Sequence, residues 1–218
     1  MEWLLWVFVV GGVVAVDATS FGQVMISRPL VAGTLGGWIV GAPEAGAMLG
    51  LILEALDLSD LPVGAAVTPE TGPAALAAGA VFGTTGTSLL ALLTAVLFGL
   101  VWQWAGGHSV RALRHLNVRL AAPDEPLAPG ELQRRHLLAG GLDYLRGATM
   151  ALLGAGLLLL LIAWLPPPPA STYAGLGTAL LPGAVAAGFI GAMAIFGRDH
   201  WRTFAAGVGA GLVFLLVT

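Results

Sequence analysis

Four stretches of this chain, at about 3 to 20, 84 to 104, 148 to 165 and 174 to 196, are apolar for close to the thickness of a bilayer. A helix needs roughly 20 such residues to cross the hydrocarbon core. A fifth stretch, about 202 to 218, is somewhat shorter. Layers of a soluble fold do not need so many near-continuous apolar helices, so the expected fold class is an all-α integral membrane protein, a polytopic helical bundle. Composition agrees, with 57% of the 218 residues hydrophobic and only 10% charged, well outside the soluble balance. The opening "MEWLLWVFVVGGVVAV" lacks a basic leading region and an A-x-A-like cleavage site, so it reads as the first membrane segment and not as a removed signal peptide.

The apolar region from Pro29 to Gly72 is different in kind. Pro29, Pro43, Pro62 and Pro69 punctuate it, together with Gly33, Gly36, Gly37, Gly41, Gly46, Gly50 and Gly64, and one straight helix cannot absorb that. Short apolar segments broken by Pro and Gly at membrane depth read as re-entrant or discontinuous helices, because non-helical backbone is tolerated there only where protein or a wet cavity satisfies it. The expected segments are about 30 to 41 and 44 to 58, a loop at 59 to 72, and another short segment at 73 to 82 before the "GTTGTS" break. Gly33, Gly37 and Gly41 recur every four residues, as do Gly46 and Gly50, giving faces on which another backbone can come close.

Residues 1 to 218 read as a single domain. Between about 105 and 147 lies an Arg-rich segment expected to be a cytoplasmic loop: it holds six of the nine arginines, with Asp124, Glu125, Glu131, Asp143 and three of the four histidines. The positive-inside rule puts it in the cytoplasm. "PPPP" at 166 to 169 then falls outside and "GRDHWR" at 197 to 202 returns inside. Trp3, Trp6, Trp102, Trp104, Trp164 and Trp201 fall near span ends, where indoles favour the headgroup level. "PGELQRRHLLAGGLDYLRG" suggests an amphipathic helix, with Leu132, His136, Leu137 and Leu142 near one face, leading into the next span.

Several chemistries are excluded or disfavoured. There is no cysteine, hence no disulfide framework or thiolate site, and no lysine, hence no phosphate-binding GxxxxGK[ST] loop. A net charge of -3 argues against a nucleic-acid partner. His108, His115, His136 and His200 show no i, i+3 or i+4 pair, so neither a metal nor another cofactor is called for. The unusual feature is "LILEALDLSDLPVGAAVTPETG", residues 51 to 72, which carries Glu54, Asp57, Asp60 and Glu70 with no basic residue inside it. "DLSDLP" resembles a helix end, so Asp57 and Asp60 read as wet. Glu54 lies one turn deeper and reads as a polar ligand or one half of an ion pair. Gly64, Ala65 and Ala66 offer uncovered backbone beside Thr68 and Glu70, a combination suited to a hydroxyl-rich solute. Arg28, ahead of Pro29, either snorkels to the interface or pairs with a carboxylate.

The order of these features resembles the membrane-embedded C component of the mannose/fructose/sorbose family of the phosphoenolpyruvate-dependent sugar phosphotransferase system. The resemblance is carried by "RPLVAGTLGGWIVGAPEAGAMLG" (28 to 50), "LILEALDL" (51 to 58) and "PVGAAVTPET" (62 to 71), then by "HLLAGGLDYLRG" and "LLPGAVAAGFIGAM" in the family's order. It implies a permease subunit of the bacterial cytoplasmic membrane that binds a hexose or amino sugar. It further implies a homologous membrane D component, a cytoplasmic phosphorylated B component, and an oligomeric assembly. Carried over residue by residue, Glu54, Gly64, Ala65, Ala66 and Glu70 lie at the motif that shapes the sugar site, with Arg28 at the preceding turn; Thr68 joins them on its own chemistry. Nothing in the C component is phosphorylated, so no catalytic residue is expected in this chain. The residues alone leave two other readings open: a proton-coupled secondary transporter using Glu54 and Glu70 as relays, and a non-transporting membrane scaffold.

Overall fold

The computed structural model describes residues 2–59, 69–85, 88–121, 129–165, 183–189, 202 and 205. Among them all regular structure is helical: α1 (Trp3–Thr19), α2 (Pro29–Ile39), α3 (Pro43–Leu56), a 3-10 turn (Asp57–Ser59), α4 (Thr71–Thr85), α5 (Leu89–Ala121) and α6 (Pro129–Ala163). The expected spans at 174 to 196 and 202 to 218 lie mostly outside the described residues, except that 183–189 is helical.

The punctuation in the sequence sets the short helices. Pro29 and Pro43 both open helices, where a missing N–H costs nothing and φ is already set. Arg28, before Pro29, is extended as required (φ -64°, ψ 137°). Between α2 and α3 the chain reverses through Gly41 at φ +78°, and the Gly41 and Ala42 amides donate back to the Trp38 and Gly37 carbonyls at 3.1 and 2.8 Å, an αL helix stop. Gly41 thus serves the turn, and of the series at 33, 37 and 41 only the first two belong to the packing face.

At 11, 14 and 15 residues, α2, α3 and α4 reach only about 16 to 23 Å, short of a hydrocarbon core of about 30 Å. They form a broken-helix core in which α2 and α3 pair antiparallel and α4 runs alongside α2. A Cβ on Gly33 would stand 2.9 Å from the Gly50 Cα, one on Gly36 would stand 2.8 Å from the Ala80 amide nitrogen, and one on Gly79 would stand 3.0 Å from the Gly33 Cα. These are backbone-to-backbone contacts. α4 is buried along nearly its whole length from Gly72 to Phe82, mostly by Ala and Gly, while Leu97, Val101, Leu153, Leu157 and Leu160 of the long helices face outward. Small residues inside and large apolar ones outside is the pattern of a chain whose surroundings are lipid, where close packing and not apolar burial draws helices together.

α1 packs antiparallel on α6. Gly11 meets Ala151, Gly147 meets Ala15, and the Tyr144 ring covers Gly12 while its hydroxyl donates to the Val9 carbonyl at 3.0 Å. α5 and α6, at 33 and 35 residues, are long and apolar enough to cross a membrane. Trp102 departs from the interfacial role expected of it: its Nε1 donates to the Met150 carbonyl at 3.0 Å and its ring stacks on Phe98, so it is an interhelix contact. Trp6, Trp104 and Trp164 are exposed, in keeping with a lipid-facing place.

The segment expected as a loop at 105 to 147 is instead helical at both ends, through Ala121 in α5 and from Pro129 in α6. The charges marked an aqueous connection, with a helix expected only in its second half; Leu113, Leu116, Asn117 and Leu120 repeat at helical spacing with no Gly or Pro among them, and that period carries α5 on to Ala121. The helix expected at the start of α6 is present, with Leu132, Leu137 and Leu142 exposed on it.

Candidate functional site

The four acids of residues 51 to 72 acquire partners that the local sequence does not contain. The C-termini of α1 and α3, the N-termini of α2 and α4, the middle of α5 and the Asp143–Arg146 turn of α6 all meet at one end of the core. The hydrogen bonds there join them.

Arg146 is the centre. Its Nη1 and Nη2 donate to Glu70 Oε2 and Oε1, both at 2.5 Å, a two-pronged pair. Nε and Nη2 donate to Asp143 Oδ1 at 3.0 and 2.8 Å, and Nη1 also donates to Ser109 Oγ at 2.8 Å. All five guanidinium N–H groups are therefore used. The Asp143 side chain is 0% exposed, that of Glu70 3% and that of Arg146 11%. Asp143 Oδ2 accepts from the hydroxyls of Thr19 and Ser20 at the end of α1. Two carboxylates, one guanidinium and three hydroxyls thus bind α1, α4, α5 and α6 into one knot. Such a cluster is tolerable out of water only when every charge is met in this way.

Gln103, 3% exposed on α5, links the knot to the preceding turn. Its Nε2 donates to Asp57 Oδ1 at 3.0 Å, and its backbone carbonyl accepts from the Glu70 amide at 2.9 Å. Asp57 is accordingly half-buried and hydrogen-bonded, not simply wet as its place at a helix end suggested. Asp60, Gly64, Ala65, Ala66 and Thr68 lie outside the described residues.

Arg28 and Glu54 form a second, separate pair. Nη1 of Arg28 stands 3.3 Å from Glu54 Oε1, with the two side chains 60% and 21% exposed, and the Leu30 amide donates to Glu54 Oε2 at 3.3 Å. The two readings of Arg28 therefore combine: it reaches toward water and pairs. Glu54 and Glu70, which flank the same motif in sequence, thus have different partners and different exposure.

Besides Gln103 and the hydroxyls of Thr19, Ser20 and Ser109, a buried carboxylate escaped the reading of the sequence. Asp17, 3% exposed inside α1, accepts from the Val24 amide at 2.7 Å and the Ser27 amide at 3.0 Å. It holds a turn in which Gly22, Gln23 and Met25 have φ of 101°, 52° and 69°, left-handed values that are uncommon for Gln and Met. The turn delivers the chain to Arg28. A carboxylate near the end of an apolar run, five residues before a glycine, was the available signal. Among the described residues no group of three or more His, Asp and Glu is arranged to hold a metal ion.

The chain matches known proteins in two ways. A family model described as the phosphotransferase-system sorbose-specific IIC component matches residues 3–112, which takes in α1 to α4, the motif of residues 28 to 71, and α5 past Ser109. A solved structure described as "Structure of membrane protein" has a similar fold, with a TM-score of 0.69 over 100% of this chain and 95% of that one at 18% identity. No curated protein matches. The broken-helix core, the lipid-facing exterior and the family match agree, and the chain belongs to the sorbose-specific IIC component family, the membrane-embedded sugar permease components of the phosphotransferase system.

Proposed function

We propose that the chain binds a hexose or an amino sugar within the bacterial cytoplasmic membrane and carries it inward while partner components phosphorylate it. The partners are a homologous membrane D component and a cytoplasmic phosphorylated B component, working with this chain as an oligomer that crosses the bilayer several times. The end that carries the knot faces the cytoplasm, a side supported by the arginines of the α5 and α6 extensions. The substrate site is the motif of Glu54, Gly64, Ala65, Ala66, Thr68 and Glu70, with Arg28 beside it.

The observation that carries this reading is the broken-helix core at whose end Arg28–Glu54 and Arg146–Glu70 stand. Discontinuous helices at membrane depth place backbone and polar groups where a solute can use them. The two carboxylates take different parts. Glu70, held through both oxygens by Arg146, fixes the start of α4 and with it the far side of the motif. Glu54 keeps a partner that is 60% exposed and is the one positioned to exchange that partner for a sugar hydroxyl. The locked state of Glu70 also disfavours the relay reading, because a proton shuttle has to be released in turn.

The test is sugar uptake in cells stripped of their own hexose phosphotransferase permeases and supplied with this chain and its B and D components. Uptake should require phosphoenolpyruvate and should deliver the sugar phosphate. Uptake by the chain alone, driven by a proton gradient and delivering unmodified sugar, would contradict the proposal.

A further inference from the structure

The turn from Ser20 to Arg28, between α1 and α2, is built against local preference. Gln23 and Met25 adopt φ of 52° and 69°, where Gly or Asn would be at ease. Conformations of this kind persist only where the surroundings over-determine them. The hold comes from one carboxylate. Asp17, buried in the last turn of α1, accepts the Val24 amide on Oδ1 at 2.7 Å and the Ser27 amide on Oδ2 at 3.0 Å. The Met25 carbonyl then accepts from the Arg28 amide at 3.2 Å, which closes the turn.

The result is the placement of two consecutive residues. Ser27 lies against the start of α4: its carbonyl accepts from Thr71 Oγ1 at 3.4 Å, and a Cβ on Gly72 would stand 2.9 Å from that same carbonyl oxygen. Thr71 and Gly72 directly follow Glu70. Arg28 pairs with Glu54 of α3 at 3.3 Å, and the Leu30 amide donates to the same carboxylate. One dipeptide thus touches both flanks of the acidic motif, and a Cα–Cα step of about 3.8 Å leaves little slack between them. A link that only reversed the chain would need none of this, since Gly or Asn at positions 23 and 25 would give the same turn without strain and without a buried acid.

We infer that Asp17 is a positioning residue for sugar binding: by holding the Ser20–Arg28 turn it sets the separation of the Glu54 and Glu70 flanks, acting through Ser27 and Arg28 and not by contact with sugar. The inference rests on the permease reading for what the two flanks hold.

The experiment uses the full chain with its D component in lipid nanodiscs, and takes mannose, fructose, sorbose and glucosamine in turn as the probe. Asp17→Asn replaces one acceptor oxygen with a donor and removes the charge. Without sugar, it should speed amide exchange about fivefold or more in two places, residues 22–30 and residues 70–73, while α5 and α6 exchange as in the parent. With sugar, affinity should fall about fivefold in the parent background and less than about twofold in Glu54→Gln, where the group being positioned is already lost. Adding Gln23→Asn/Met25→Asn should recover most of the affinity and of the exchange protection, because Asn accepts the left-handed conformation unaided. A general weakening of the fold predicts equal losses in both backgrounds and no recovery. Met25→Val is the second variant, should Asp17→Asn not fold: Met25 is 65% exposed, a β-branched side chain resists its left-handed conformation, and the same two segments should loosen with Asp17 intact. Unchanged exchange at residues 70–73 in these variants would overturn the inference, as would equal affinity losses in the two backgrounds. A parent that binds none of the four sugars would contradict the permease reading, and the two-segment exchange with its recovery would still decide whether the turn spaces the flanks.

Discussion

The two arginine–glutamate pairs at the end of the core use the same chemistry and differ in almost everything else. Arg146–Glu70 joins residues 76 apart in sequence, has two contacts of 2.5 Å, and sits among Asp143, Ser109, Thr19 and Ser20 with its glutamate 3% exposed. Arg28–Glu54 joins neighbouring helices of one hairpin through a single 3.3 Å contact, and its arginine is 60% exposed. A buried and fully bonded pair is expensive to break, because the partner left behind is an uncompensated charge. An exposed pair is worth little and exchanges easily. The difference teaches that the acidic motif has one anchored flank and one adaptable flank, although both flanks look alike as sequence.

That division predicts a ranked set of effects. The largest belongs to Arg146→Met, which leaves Glu70 and Asp143 buried without their cation; a loss of about 3–5 kcal/mol is expected, read as a collapse of the monodisperse detergent-solubilised peak and a much lower melting temperature. Should that variant fold with the parent's melting temperature, the anchored flank is not an anchor. Gln103→Leu comes next, removing the donor to Asp57 while leaving the backbone bond to Glu70; about 1.5–3 kcal/mol should go, with hydrogen exchange rising at the start of α4. Thr19→Val should cost about 1 kcal/mol, because Ser20 still donates to Asp143; a double variant with Ser20→Ala should cost more than the sum of the two, which a double-mutant cycle would measure. Arg28→Gln, the smallest, should move stability by no more than about 1 kcal/mol in the same melting assay.

Much of the fold could be read from the sequence, and for local reasons. Pro29 and Pro43 mark helix starts, Gly41 marks the stop between them, and the apolar runs give α1 and the crossing parts of α5 and α6. The small residues of α2 and α3 announced close packing, and the structure pairs Gly33 with Gly50; its contact with Gly79 of α4 was not announced. What the sequence concealed is non-local. Nothing near Glu70 points to Arg146, because the pairing is made by the antiparallel return of α6 and not by spacing. Asp143, three residues before Arg146 at the head of a span, was the nearest hint, since an i, i+3 pair there belongs on one helix face. The α5 extension was hidden by its own charges, which drew attention from the helical period of Leu113, Leu116 and Leu120. Asp57 was misread because a helix end was equated with exposure, although Gln103 of another helix reaches it.

The two-flank account is tested most directly by measuring sugar affinity and melting temperature together for Glu54→Gln and Glu70→Gln in the assembled permease, using the hexose that its phosphoenolpyruvate-dependent uptake selects. For Glu54→Gln the account predicts a melting temperature within a few degrees of the parent and an affinity reduced about tenfold, the size of one lost hydrogen bond to a charged group. For Glu70→Gln it predicts a marked loss of thermal stability, with whatever protein stays folded still binding sugar. An unaltered affinity in Glu54→Gln beside a thermally intact Glu70→Gln that no longer binds would contradict it, and would exchange the parts assigned to the two carboxylates.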